Sequence, residues 1–146
     1  MAIHAARREL YVANPGDGTV LRVMMNSGTY ARTAREEYPI FSNQLPSFKY
    51  SVWECAEQHT FATGLDTPSG LTLSDDGDRL SVGEHHTGRI HVFETATSAH
   101  LTTIETGHTA TGGMAVSPNA GELHYVNADT NTLYAVRRRD KCASSS

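Results

Sequence analysis

Short apolar runs, broken by glycine and turn residues, recur along this chain at a fixed spacing. Shifted by 43 residues, the stretch from Gly64 to Val136 falls on itself without a gap. Gly64 meets Gly107, Gly70 meets Gly113, Ser74 meets Ser117, Leu80 meets Leu123, and Val92-Phe93 meets Ala135-Val136. Inside the runs the apolar positions alternate. Leu71 and Leu73 fall on one side, as do Ile90 and Val92, which is the pattern of half-buried strands. A partial third copy stands upstream, where Leu10-Tyr11-Val12-Ala13-Asn14 matches Leu80-Ser81-Val82-Gly83-Glu84, and Gly18-Thr19-Val20 matches Gly88-Arg89-Ile90. Its offset is 70 residues, one period lengthened by an insertion of 27.

A period in the low forties made of short strands is the signature of a propeller blade. The pattern therefore predicts an all-β chain: β-propeller blades of four antiparallel strands, period 43, in an incomplete ring. A partial propeller is expected over residues 1–141, with blade one at about 1–64, blade two at about 65–107 and an unfinished blade three at about 108–138. Residues 142–146 form a Ser-rich tail. In blade one the first clear strand is Leu10 to Asn14; residues 1–9 read as the damaged end of an earlier strand, and Thr29 to Ala34 as the start of the outer one. Blade two is predicted with strands at Gly70–Leu73, Arg79–Glu84, Arg89–Glu94 and Ala99–Glu105. Blade three has them at Met114–Val116, Leu123–Asn127 and Leu133–Arg137.

The insertion, at about 33–59, carries Tyr38, Phe41, Phe48, Tyr50 and Trp53. Pro39 and Pro46 argue against a long helix, and Lys49 to Trp53 reads as a strand, so an aromatic hairpin is expected. Two roles fit it: an elaborated blade edge that covers unpaired backbone, or a docking surface.

Length and charge narrow the reading. With 146 residues the chain suffices for one domain with a core, whereas a closed six-bladed ring takes roughly 260 residues. Either the chain is a segment of a longer propeller, or two copies complete each other through their open blade edges. Twelve basic against sixteen acidic residues give a net charge of −4, which favours neither nucleic acid nor an anionic membrane. No apolar stretch approaches the roughly eighteen residues needed to span a bilayer. The N-terminus lacks the apolar core of a signal peptide, a feature equally compatible with a secreted parent protein, so the compartment stays open. Cys55 and Cys142 are too far apart for a zinc motif; one disulfide and two free thiols are both compatible with them.

The run Pro68-Ser69-Gly70-Leu71-Thr72-Leu73-Ser74-Asp75-Asp76-Gly77-Asp78-Arg79-Leu80-Ser81-Val82 resembles the repeat of NHL and YVTN-type β-propellers. Leu10 to Asn14 is similar to the second strand of that repeat, and Gly88 to Phe93 to its third. Such propellers include protein- and RNA-binding modules, carbohydrate and lipid binders, lactonases and an amidating lyase. The resemblance implies a fold and leaves the function to the site. In such a blade the turn between second and third strands and the crossing to the next blade share one face. That geometry would gather Asp66, Glu84, His85, His86, His108, Asn127 and Asp129, together with Asn14 and Asp17, as ligand-binding residues.

No catalytic residue is assigned. Histidines beside carboxylates suit metal or acid–base chemistry, but no His-x-His or His-Glu-x-x-His spacing occurs. His91 and His124 read as strand residues. Ser74-Asp75-Asp76-Gly77 is a turn rather than a calcium loop, and Ser69 lacks a nucleophile-elbow context. The expected function is a non-catalytic recognition module without a cofactor, binding a protein or extended ligand. The alternative is a lactonase-like hydrolase or a lyase with calcium or zinc in the channel.

Overall fold

The computed structural model describes residues 1–33, 51–118 and 121–137. Outside them lie the expected Tyr38, Phe41, Phe48 and Tyr50, part of the turn at Pro118–Gly121, the basic run after Arg137, and the tail with Cys142. Cys55 is exposed, and Cys142, the only other cysteine, lies outside the described residues, so the disulfide and free-thiol readings both fall outside them. The described residues form thirteen strands and no helix. The first sheet contains β1 (Ala2–His4), β2 (Glu9–Asn14) and β3 (Thr19–Met24). An inserted pair follows, β4 (Thr29–Thr33) and β5 (Ser51–Glu54), and then β6 (Glu57–Ala62) completes the first sheet against β3. The second sheet is a four-stranded meander of β7 (Pro68–Leu73), β8 (Arg79–Glu84), β9 (Arg89–Glu94) and β10 (His100–Glu105). The third has β11 (Thr111–Val116), β12 (Leu123–Asn127) and β13 (Thr132–Val136). All pairs are antiparallel, and the described strands do not close a ring.

Two expectations for blade one change. Residues before Leu10 are not a remnant: Ala2, Ile3 and His4 pair with Tyr11, Leu10 and Glu9 as an innermost strand. The segment from Thr29 does not become the outer strand either. Ser27 turns the chain, its N–H donating to the Met24 carbonyl at 3.1 Å and its hydroxyl oxygen accepting the Glu57 N–H at 2.7 Å. Those bonds join the end of β3 to the start of β6, so Thr29–Thr33 is left to pair with β5. Tyr30 and Trp53 meet edge to face across that pair, with ring centroids 5.7 Å apart.

Alternation along the strands sorts side chains onto two inter-blade cores. Tyr11, Val20 and Phe61 of the first sheet meet Leu71, Leu80, Val82 and Phe93 of the second, with Leu65 from the connection between them. Ile90 meets Leu123 and Tyr125 across the next boundary, flanked by Met114 and Tyr134. Where the second and third sheets meet, two glycines leave no room for a side chain of their own. A Cβ on Gly70 would lie 2.4 Å from the Gly112 carbonyl oxygen and 2.9 Å from Met114 Cγ, and one on Gly83 3.1 Å from Met114 Sδ. The glycines thus form the niche in which Met114 seats.

Candidate functional site

Each blade ends its second strand with a polar residue: Asn14, Glu84 and Asn127, which share one repeat position. Their roles correspond. Asn14 Nδ2 donates to Asp17 at 2.8 Å within its own turn. Asn127 Oδ1 accepts the N–H groups of Asp129 and Thr130, each at 3.0 Å, while its Nδ2 donates to the Thr109 carbonyl at 2.9 Å. Glu84 accepts the Thr87 hydroxyl and, at 2.8 Å, the N–H of Asp66. Each of the last two residues therefore caps its turn and ties that turn to the connection from the preceding blade. Both are buried, which leaves no face of either for a ligand. Burial raises the Glu84 carboxyl pKa, but the bonds from Thr87 and Asp66 and the nearby His91 outweigh it, and the net shift is downward.

His108 has a structural post as well. It stands one period after Leu65, the apolar plug of the preceding boundary. Its ring stacks on Tyr134 with centroids 4.4 Å apart, and Nδ1 lies 3.1 Å from the Tyr125 hydroxyl. Beside it, Gly88 is held at φ 69°, and a Cβ there would fall 1.4 Å from the His108 carbonyl oxygen. Burial raises the Tyr125 phenol, with a smaller contribution in the same direction from Tyr134.

The adjacent histidines diverge. His86 turns back to the preceding connection, with Nδ1 3.2 Å from Asp66 Oδ1 and 3.1 Å from the Thr67 hydroxyl. His85 turns forward, with Nδ1 3.4 Å from the Thr111 carbonyl oxygen. The backbone beneath them is continuous across blades: the His85 N–H donates to Thr67 at 3.0 Å, Ala110 to His85 at 2.6 Å, and Ala128 to Ala110 at 2.9 Å. Thr67 and Ala110, again one period apart, both hold positive φ, at 52° and 55°. For a β-branched residue such as Thr67 that conformation is strained. Asp129 is exposed, with the Thr109 hydroxyl 3.5 Å away.

Of the nine residues read from the sequence, Asp66 and His86 form one exposed pair. His85 and Asp129 stand apart from it, Asn14 and Asp17 bond within the first turn, and Glu84, His108 and Asn127 serve the fold. Among the described residues no three His, Cys, Asp or Glu side chains converge as a metal-ligand set. The sequence reading did not single out the cleft between the second and third sheets. It has a volume of about 1100 Å³ and is lined by Asp76, Arg79, Leu101, Ile104, Val136 and Arg137 among others.

No protein-family model matches the sequence, and no curated protein matches it. Among solved structures the chain is similar to Kuenenia stuttgartiensis hydrazine synthase, at 12% identity over 95% of this chain and 35% of that one, with a TM-score of 0.57. It is also similar to a luciferin-regenerating enzyme, at 19% identity over 94% of this chain and 43% of that one, with a TM-score of 0.60. The first, second and third sheets are β-propeller blades. At such identities the likeness concerns the fold alone, and the chain spans less than half the length of either structure.

Proposed function

We propose that the chain is a recognition and scaffold segment of an NHL/YVTN-type propeller, binding a protein or extended ligand across its loop face. The observation that carries this reading is the division of labour among the loop residues. Glu84, Asn127 and the backbone bonds from Thr67 to Ala128 fix the rim, while Asp66, His86 and Asp129 stay exposed on it. A rim already ordered presents charge and imidazole at a low entropic cost on binding. The channel-enzyme alternative needs carboxylates or histidines from several blades at one point, and Asp66, Glu84 and His108 do not form such a point.

The test is selection from a displayed peptide library on the full chain, repeated with the triple variant Asp66→Lys, His86→Glu, Asp129→Lys. Peptides enriched by the wild-type chain should lose at least tenfold in affinity, about 1.4 kcal/mol, on the variant. Unchanged affinity would overturn the loop-face assignment. Lactone opening by the wild-type chain with added calcium or zinc would favour the enzyme instead.

A further inference from the structure

The outer edge of blade two carries a cluster that the loop face does not use. His91 of β9 and Thr103 of β10 are direct cross-strand partners. His100 pairs with Phe93, two residues along β9 from His91 and on the same face. In a regular strand residues 100 and 103 would point to opposite faces, because side chains alternate. The register of β10 shifts between His100 and Thr102, a bulge that inserts Leu101 as the extra residue. That shift returns His100 to the face of Thr103 and His91. Re-aiming a side chain is the characteristic effect of a bulge, and bulges concentrate beside functional sites.

The three side chains converge. His91 Nδ1 lies 3.2 Å from His100 Nε2, the Thr103 hydroxyl is 3.1 Å from the former, and it is 3.0 Å from the latter. Three donor atoms so placed form a nearly equilateral triangle. Two nitrogen ligands bound at about 2.0–2.1 Å on a tetrahedral zinc ion lie roughly 3.3–3.4 Å apart, so a shift of about 0.1–0.2 Å suffices. On its far side, His91 Nε2 stands 3.1 Å from Glu84 Oε1 and has no aligned hydrogen-bond partner. A carboxylate behind a ligating imidazole fixes its tautomer and strengthens it as a donor, a recurrent arrangement around protein-bound zinc. The His91 side chain is 16% exposed and His100 is open to solvent, which leaves a path for an ion.

We propose that His91 Nδ1 and His100 Nε2 bind a borderline divalent transition ion of the zinc class, with the Thr103 hydroxyl and a water completing four-coordination. Imidazole donors select zinc or copper over calcium or magnesium. The ion would staple β10 to β9, and through Glu84 it would connect to the turn at Thr87 and the connection at Asp66.

Titration of the full chain with Zn²⁺, and with Co²⁺ as a spectroscopic probe, tests this. One equivalent should bind, and Co²⁺ should show the visible absorption of a four-coordinate site with two nitrogen and two oxygen donors. His100→Ala removes an exposed ligand whose one ring contact with the core is edge to face on Phe93, and it should weaken binding at least tenfold while the apo-protein still unfolds cooperatively. Glu84→Gln should weaken it about tenfold, the size expected when a partner behind a ligand is lost. His59→Ala alters a separate exposed His–Glu pair and should change nothing. Equal binding by His100→Ala, or no stoichiometric binding by the wild-type chain, would overturn the proposal.

Discussion

At the scale of single residues, the position shared by Asn14, Glu84 and Asn127 shows how polar loop residues can belong to the fold. Its place was legible, since three polar residues at one repeat position end three strands, but the sequence alone reads them as ligand-binding residues and not as turn caps. That Glu84 would be buried was not legible, because burial depends on the neighbouring blade. The Glu84 carboxyl lies below its ordinary value of 4.5, so the native state releases that proton more readily than the unfolded chain does. Its stabilisation is complete above the unfolded-state pKa and is lost as pH falls through the lowered one. In denaturant titrations across pH, the stability gap between wild type and Glu84→Gln should be level above about pH 5 and should close below about pH 4.5. Glycines give a second prediction. Gly88→Ala would push a Cβ into the His108 carbonyl and should cost more than about 3 kcal/mol, or prevent folding. Gly107→Ala has the same sign of φ and nothing within 4 Å, so it should cost only about 1 kcal/mol of backbone strain.

Among elements, β8, β9 and β12 begin and end where alternation and turn residues placed them. β1 escaped that reading because three residues are too few to show a period, and only pairing with β2 identifies it. The bulge in β10 was equally hidden: nothing in His100-Leu101-Thr102-Thr103 marks which residue is extra, and sequence parity put the two donors on opposite faces. The inserted pair β4–β5 makes a sheet of its own, and the Ser27–Glu57 bond brings the two ends of the insertion together. Replacing residues 28–55 by a short turn should therefore leave a β3–β6 hairpin like that of β9–β10. Circular dichroism and cooperative melting should survive the excision; loss of folding would show that the insertion belongs to the core. His108→Leu restores the residue found one period earlier and should shift the melting temperature by only a few degrees, about 1 kcal/mol or less, while leaving loop-face binding intact.

For the whole molecule, the two terminal faces matter most. The face of the third sheet that turns away from the second exposes Val126 and Leu133, at 42% and 66%, and Ile3 at the other end of the array is 59% exposed. Val126 and Leu133 repeat Gly83 and Ile90, which inside the array are covered by the following blade. A face built to the same plan and left open should associate with another blade. Light scattering should give a mass of two chains if a second copy supplies that blade, and Leu133→Lys with Val126→Lys should return it to one. A monomeric wild-type chain would mean that neighbouring sequence of a longer propeller normally supplies the cover.

Met114 introduces a different kind of vulnerability. Its thioether is seated where Gly70 and Gly83 leave no space for even a methyl group. Oxidation to the sulfoxide would add a polar oxygen to a group already in tight contact on two sides. Peroxide damage at this one side chain would thus loosen the boundary between the second and third sheets, and a methionine sulfoxide reductase would be repairing a joint between blades.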